Sequence, residues 1–326
     1  MTLNIGIVGC GYMGGVHTRN LAADPRVKVA GVADVSAERA ADLARGLGAR
    51  AYGTAAELLA AGVDAVYVTT PNTLHTEAVL EALAAGVHVF SEKPMATRFT
   101  EAQQIHTAAR DAKGIYQVGH NRRFAPVYLF CAEQIRSGFA VSSAHIKMNR
   151  GELQNPPWVS NTAITGGFLY ESTLHLLDMA RFLLGDIVEV ECRANRRAYQ
   201  EIDNFSMLLS FASGVYATFS SCAHTTWAFP FESIELYGAH AQLVTQEMEK
   251  VSFSAGLGHD VVTHDYFQLA APQKWGYVAE DRLFVDSIVE GKPAAVNAED
   301  GFRAIELVEA VYRSAQAGGE RVRLPL

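Results

Sequence analysis

The 326-residue chain has only four cysteines, Cys10, Cys131, Cys192 and Cys222, and no two of them form a C-x-x-C pair. These spacings suit neither a disulfide framework nor a zinc site, and a reducing, cytoplasmic setting is the simple expectation. No apolar run reaches about 18 residues, so no spanning helix and no membrane partner are expected. The chain begins MTLNIGIVGCG, with no basic segment ahead of an apolar stretch, so no signal peptide is expected. Internal repeats and low-complexity tracts are missing. A basic excess is missing too: 27 Lys and Arg stand against 35 Asp and Glu, a net charge of −8. The first 120 residues are nearly balanced, 10 against 11, and the acidic excess falls in the remainder, 17 against 24. A nucleic-acid partner, which needs a basic patch, is therefore not expected. What is present is an ordinary globular composition, 49% hydrophobic and 19% charged, with length enough for two domains.

Within residues 1–120, short β-branched runs alternate with alanine-rich amphipathic stretches. Strands are expected at 4–9, 27–34, 64–69, 87–91 and 115–119, with a short extra one at 51–52. Helices are expected at 14–23, 37–47, 73–85 and 100–112. Continuous apolar strands alternating with helices signal a parallel sheet covered on both faces, a doubly wound α/β domain. Beyond residue 120 the runs 143–150, 187–196, 206–211, 215–222, 232–237, 241–245 and 250–255 read as strands. Several alternate in period two around short turns such as FASGVYATF, which suits an open, predominantly antiparallel sheet. Late helices are expected at 278–289 and 298–317. The expected division is 1–120 for the first domain and 121–326 for an α+β domain.

The first strand runs into GIVGCGYMGGVH, which holds G-x-G-x-x-G as Gly9, Gly11 and Gly14 between a strand and a helix. In that context Gly9 permits the tight turn, Gly11 the close approach of a pyrophosphate, and Gly14 the packing of helix on strand. The helix start, with Tyr12 and Met13, offers N–H groups to the phosphates. Asp34 ends the second strand, 20 residues after Gly14, where a carboxylate accepts from adenosine ribose hydroxyls and repels a 2′-phosphate. The expected cofactor is NAD, with Arg39 close enough to leave room for NADP.

Two further strand ends carry unusual residues. YVTTPNTLH brings Thr70, Pro71, Asn72 and His75 to the carboxyl edge of the sheet, where open α/β sheets bind ligands. VFSEKPMATR does the same for Glu92 and Lys93, since Pro94 keeps Lys93 out of the helical region and carries it past the sheet edge. A lysine there can hydrogen-bond a hydroxyl or carbonyl oxygen and stabilise developing negative charge. Taken alone, a lysine at a strand end is more often a surface residue; the neighbouring motifs reverse that weighting.

The second part carries GGFLYESTLHLLDMARFLLGD. On a helix, Glu171, His175 and Asp178 share a face, and the remainder is apolar nearly all round, so the helix is expected to be buried. Ionisable groups there must be paired or functional; for Asp178 pairing with an arginine is the leading reading. A metal on this face is not expected, because no cysteine or second histidine falls nearby. Arg122, Asn149, Asn155, Trp158 and Tyr277, with Arg150 and Tyr266, are candidates for the substrate side. The stretch NPPWVSN, 155–161, reads as a stiff lid.

GCGYMG, TTPNTLH and SEKP, in this order, resemble the Gfo/Idh/MocA oxidoreductases, the group of glucose–fructose oxidoreductase and inositol 2-dehydrogenase. The resemblance runs over essentially the whole chain; the E-K-P element is fairly specific to the family and the glycine loop is not. It implies an N-terminal Rossmann domain and a C-terminal α+β domain whose open sheet builds homodimers or homotetramers. It also implies hydride transfer between a nicotinamide and a hydroxyl-bearing carbon of a sugar, cyclitol or related polyol. The family places an aspartate four residues before the histidine, after a double glycine; here Gly166–Gly167 and His175 match and Glu171 stands in the aspartate's place. By that resemblance His175 is the general base, Glu171 orients it, and Lys93 holds the reacting oxygen. Two other readings share the fold: a glycoside-cleaving hydrolase using NAD transiently, and a dinucleotide-binding sensor without chemistry.

Overall fold

The computed structural model describes residues 2–151 and 157–326. The chain forms two compact units, Met1–His120 with Tyr277–Ile305 and Asn121–Gly276 with Glu306–Leu326. The first unit therefore takes in a late segment that a single break at residue 120 would leave in the second.

In the first unit, β1 (Leu3–Val8), β2 (Val27–Ala33), β3 (Arg50–Tyr52), β4 (Ala65–Val68), β5 (His88–Glu92) and β6 (Tyr116–Gly119) alternate with α1 (Tyr12–Ala22), α2 (Ala37–Arg45), α3 (Ala55–Ala60), α4 (His75–Ala84) and α5 (Phe99–Asp111). The sheet is parallel with order β3-β2-β1-β4-β5-β6. This is the doubly wound order that brings every strand's carboxyl end to one edge. Ser36 opens α2 by accepting the Arg39 N–H, and Thr54 opens α3 by accepting the Glu57 N–H. The core is built from Ile5, Ile7, Leu21, Val32, Tyr67 and Phe90.

The second unit holds α6 (Pro126–Arg136), β7 (Val141–Asn149), α7 (Thr162–Thr165), α8 (Leu174–Leu184), β8 (Ile187–Asn195), β9 (Asn204–Phe211), β10 (Tyr216–Cys222), β11 (Glu232–Gly238), β12 (Gln242–Gln246), β13 (Lys250–Ser254), β14 (Val262–Asp265) and α9 (Ala271–Lys274). The chain then returns to the first unit as α10 (Tyr277–Glu290). It passes through α11 (Ala298–Gln316) and closes with β15 (Val322–Arg323). The nine strands run β14-β13-β12-β11-β7-β10-β9-β8-β15, with β7 and β10 parallel and the other pairs antiparallel. Strand β9 alternates strictly, burying Phe205, Met207, Leu209 and Phe211 and turning Ser206 and Leu208 outward. The sheet thus packs on one face and presents the other.

Helix α10 belongs with the first unit because its buried apolar residues pack there. Phe284 and Val285 enter the core, with the Phe284 ring edge-on to Tyr67 at 5.5 Å. The start of α11 does the same, stacking Phe302 on Phe99 at 5.5 Å. Such pairings across more than 150 residues leave no trace in local periodicity. Helix α6 and strands β14 and β15 also go beyond the elements expected from sequence.

Candidate active site

The parallel topology gathers the glycine loop, Asp34, Thr69–Asn72 and Glu92–Lys93 along one edge of the first sheet. The three glycines there are needed for different reasons. Gly9 has φ +99°, and a Cβ on it would sit 2.7 Å from the Thr69 carbonyl. A Cβ on Gly14 would sit 2.2 Å from Gly9 O, so only glycine lets α1 start this close to β1. Gly11 faces open space, with nothing within 4 Å of where its Cβ would be. The Thr69 hydroxyl donates to Gly9 O at 2.6 Å and pins the loop to β4. Gly11 is the N-cap of α1 and supplies no side-chain cap, so the first helical N–H groups face outward uncapped. Tyr12 is exposed beside them.

These residues fit a dinucleotide. The open approach at Gly11 admits a pyrophosphate, and the uncapped helix start supplies donors to it. At the neighbouring strand end Thr70 Oγ1 is buried and has no hydrogen-bond partner among the described residues. Asp34 Oδ2 accepts from Cys10 N at 2.8 Å and Oδ1 from Ser36 N at 2.8 Å, while Arg39 Nη2 donates to Oδ1 at 2.6 Å. Burial alone would raise the Asp34 pKa, but Arg39 and the two backbone donors together hold it below the usual carboxylate value. It stands as an anion just past the end of β2. Burial and the Asp34 charge push the Cys10 thiol up to about 12, so the loop carries no thiolate.

Asn72 is buried at the start of the turn that leads into α4, and exposed Pro71 precedes it. His75 is fully buried, its Nδ1 2.7 Å from Pro94 O and its Nε2 2.9 Å from Thr70 O. Burial lowers its pKa, so the ring is held neutral against the two carbonyls. Glu92, read from sequence as a cofactor contact, is instead buried against His17, Oε1 to Nε2 at 3.0 Å, and its Oε2 accepts the Lys93 N–H at 3.1 Å. His17 Nδ1 lies 2.7 Å from Asp281 Oδ1, and Asn20 Nδ2 donates to Asp281 Oδ2 at 2.8 Å. Burial would drive this imidazole neutral, yet Asp281 and Glu92 outweigh it and hold its pKa well above the usual histidine value. Lys93 itself is partly exposed, while Val89, Phe90, Ser91, Glu92, Pro94, Met95 and Ala96 are all buried around it.

The reading of single residues missed His17 and Asp281. His17 does sit one turn after the glycine motif on a helix that packs against the sheet, which is a usable signal; Asp281 carries none. Tyr277 was expected on the substrate side. It starts α10 in the first unit, its ring edge-on to His17 at 6.0 Å.

In the second unit, Gly166 and Gly167 adopt φ +80° and +114° and turn the chain into residues 169–184. A single continuous α-helix was expected. Leu169–Thr173 is instead a π-turn, with the Leu174 N–H reaching back to Leu169 O, and α8 begins only after it. One extra residue in that turn resets the angle between Glu171 and His175, and such turns are frequent at functional sites. Glu171 is mostly buried, its Oε1 3.7 Å from Arg150 Nη1. Arg150 Nη1 also donates to Ser172 Oγ at 2.8 Å, and its guanidinium lies over Trp227. His175 is 9% exposed on the first turn of α8.

Asp178 accepts from Arg123 Nε and Nη2, at 2.9 and 2.6 Å, in a buried pair that ties α8 to the 121–124 turn. Arg122 is likewise committed, in a buried pair with Glu232 at 2.9 and 2.7 Å that Tyr128 OH completes. Asn149 is half-buried at the end of β7, and its Oδ1 has no hydrogen-bond partner among the described residues. Trp158 is exposed. Asn155 lies outside the described residues, as does part of the expected lid. Among the described residues, no group of three or more His, Cys, Asp and Glu is placed to hold a metal ion, and no helix is long and apolar enough to cross a membrane.

Comparison with known proteins matches two models of one family along the chain. Residues 3–120 match the model of an oxidoreductase family with an NAD-binding Rossmann fold, and 133–324 match that family's C-terminal alpha/beta domain. The chain is 28% identical to inositol 2-dehydrogenase of Rhizobium meliloti over 324 residues, covering 96% of this chain and 97% of the relative. The solved structure of GenD2 from gentamicin A biosynthesis, in complex with NAD, is 27% identical with a TM-score of 0.85, covering 100% of this chain and 97% of that one. Levoglucosan dehydrogenase in complex with NADH and levoglucosan shares the fold, with a TM-score of 0.92 at 21% identity over the whole of both chains.

Proposed function

The chain belongs to the Gfo/Idh/MocA family of NAD-dependent oxidoreductases, and on that premise we propose that it oxidises a secondary hydroxyl of a cyclitol or sugar. The observation that carries this reading is Lys93. It is the one partly exposed residue in an otherwise buried run, at the sheet edge that also holds the glycine loop. Inositol 2-dehydrogenase, at 28% identity over nearly the full length, supports a polyhydroxylated ring as the substrate class.

The roles are assigned residue by residue. Gly9, Gly11, Gly14, the start of α1 with Tyr12 and Met13, and Asp34 hold the dinucleotide, with Thr70, Pro71 and Asn72 beside it. When bound, NAD supplies the hydride acceptor. His175 takes the hydroxyl proton, a task for which an imidazole is suited near neutral pH. The Lys93 ammonium donates to the same oxygen and stabilises the charge that develops there. Glu171, steadied by Arg150, orients His175. Asn149 and Trp158 contribute to the substrate side. The Arg39–Asp34 pair favours NAD over NADP, because Asp34 stays ionised.

The outward face of the nine-stranded sheet carries Ser206, Leu208, Tyr216 and Thr218. We assign it to a second copy of the chain, as the family's open sheet implies, with a homodimer or homotetramer expected by light scattering. Four free cysteines suit a reducing, cytoplasmic setting.

The test is a spectrophotometric screen of NAD reduction against a panel of inositols and aldoses, with NADP in parallel. Accumulating NADH with at least one ring polyol is the expected result. Glycoside cleavage without net NADH would favour the hydrolase reading, and silence across the panel with NAD bound would favour a sensor.

A further inference from the structure

Two fully buried histidines flank Lys93, and the chemistry above uses neither. On the N-terminal side, His17 Nε2 contacts Glu92 Oε1 at 3.0 Å, and Glu92 Oε2 accepts the Lys93 N–H. The far side of His17 is fixed by Asp281, which Asn20 also holds. On the C-terminal side, His75 Nδ1 lies 2.7 Å from Pro94 O, the carbonyl directly after Lys93, and Nε2 lies 2.9 Å from Thr70 O. An apolar trio in place of Glu92, His17 and Asp281 would avoid the desolvation of three ionisable groups. The chain instead keeps directional bonds on both sides of a single partly exposed lysine.

We propose that His17 and His75 are positioning residues that brace the Lys93 turn from its two ends, His17 through Glu92 and His75 through the Pro94 carbonyl. The inference rests on the reading that Lys93 holds the reacting oxygen. It gives each ring one nitrogen that matters for Lys93. For His17 it is Nε2, toward Glu92; for His75 it is Nδ1, toward Pro94. A neutral His75 has one N–H to give, and the brace requires it on Nδ1, toward the Pro94 carbonyl; Nε2 then carries a lone pair and makes no hydrogen bond to Thr70 O.

The test uses amide replacements that keep one ring nitrogen each: a glutamine amide stands in for Nε2 and an asparagine amide for Nδ1. The brace predicts a crossed ranking. His17→Gln retains most of kcat and His17→Asn loses it, whereas His75→Asn retains most of kcat and His75→Gln loses it. Misplacing a reactive group by about 1 Å costs roughly 100-fold, and that is the expected gap within each pair. NAD affinity stays within about threefold in all four, since tenfold would already mean 1.4 kcal/mol at the cofactor. A second readout needs no substrate: the ¹³C NMR signal of reductively methylated Lys93 in the NAD-loaded enzyme, assigned by its loss in Lys93→Met. It should move in His17→Asn and His75→Gln and stay in the other two.

A purely structural role would rank the variants by melting temperature alone, without crossing. An uncrossed order, or an unmoved Lys93 signal in all four, overturns the brace. Lys93→Met turning over like the wild type would overturn the Lys93 reading itself, and this inference with it. If a His17 variant fails to fold, the His75 pair still gives the ranking.

Discussion

His17 is a fully buried imidazole enclosed by two carboxylates, and its behaviour with pH follows from that. Its pKa is raised in the folded state, so its stabilising effect is complete below about 6.5, the unfolded imidazole value, and is lost as pH climbs through the raised folded value. Glu92 works in the opposite direction. Burial would raise its pKa, but His17 holds it below the ordinary carboxylate value, so its contribution is present above that value and fades as pH falls through the lowered one. Breaking a buried ion pair by removing one partner costs about 3–5 kcal/mol. His17→Gln should therefore be less stable than the wild type by an amount of that order near pH 6, with the gap narrowing as pH rises toward 10. Urea midpoints across that range check it; a gap independent of pH would show that His17 is neutral in the folded protein. At this scale the sequence was informative only where one residue had a local meaning. Asp34 could be placed from its spacing to Gly14, but its Arg39 and backbone partners needed the folded loop. The expectation that Asp178 pairs with an arginine matches the structure, while the identity of that arginine, Arg123, lies 55 positions away.

Among elements, the strand–loop–helix around Gly9–Gly14 separates two demands that the motif merges. Gly14 serves the fold, since its missing Cβ lets α1 lie against Gly9 O, whereas Gly11 leaves a space that the protein itself does not fill. Gly14→Ala should cost about 1–3 kcal/mol of stability through overpacking. Gly11→Ala, at an unstrained φ of −79°, should leave stability within about 0.5 kcal/mol and weaken NAD binding instead. Urea titration and an NAD fluorescence titration on both variants separate the two effects; equal stability losses would contradict the division. The alternation of β-branched and alanine-rich runs made nearly every parallel strand legible, because buried strands carry their signal in consecutive residues. The Leu169–Thr173 π-turn was not legible. It inserts one residue into an otherwise helical pattern, and the apolar residues around it fit either helix type.

At the scale of the molecule, the main surprise is where 277–305 goes. Periodicity identified both helices in that segment but not their allegiance, which depends on Phe284, Val285 and Asp281 meeting residues in the first third of the chain. A fragment of residues 1–120 alone should therefore be poorly folded, with an apolar face and the His17–Glu92 pair left incomplete. The same fragment joined by a flexible linker to 277–305 should fold cooperatively and bind NAD. Circular dichroism melts and NAD titration on the two fragments check this. Equal folding of both would mean that α10 only decorates the first unit.

The central claim is that a hydride leaves a hydroxyl-bearing ring carbon while Lys93 and His175 handle the oxygen and its proton. It is tested most directly by following deuterium from a C-deuterated inositol or sugar that turns over in the screen. The account predicts that deuterium appears in the reduced nicotinamide formed by the wild type. It also predicts that the transfer rate falls roughly 10²- to 10⁴-fold in both Lys93→Met and His175→Ala, with NAD still bound. Undiminished deuterium transfer in either variant, or reduced cofactor free of the label, would contradict it.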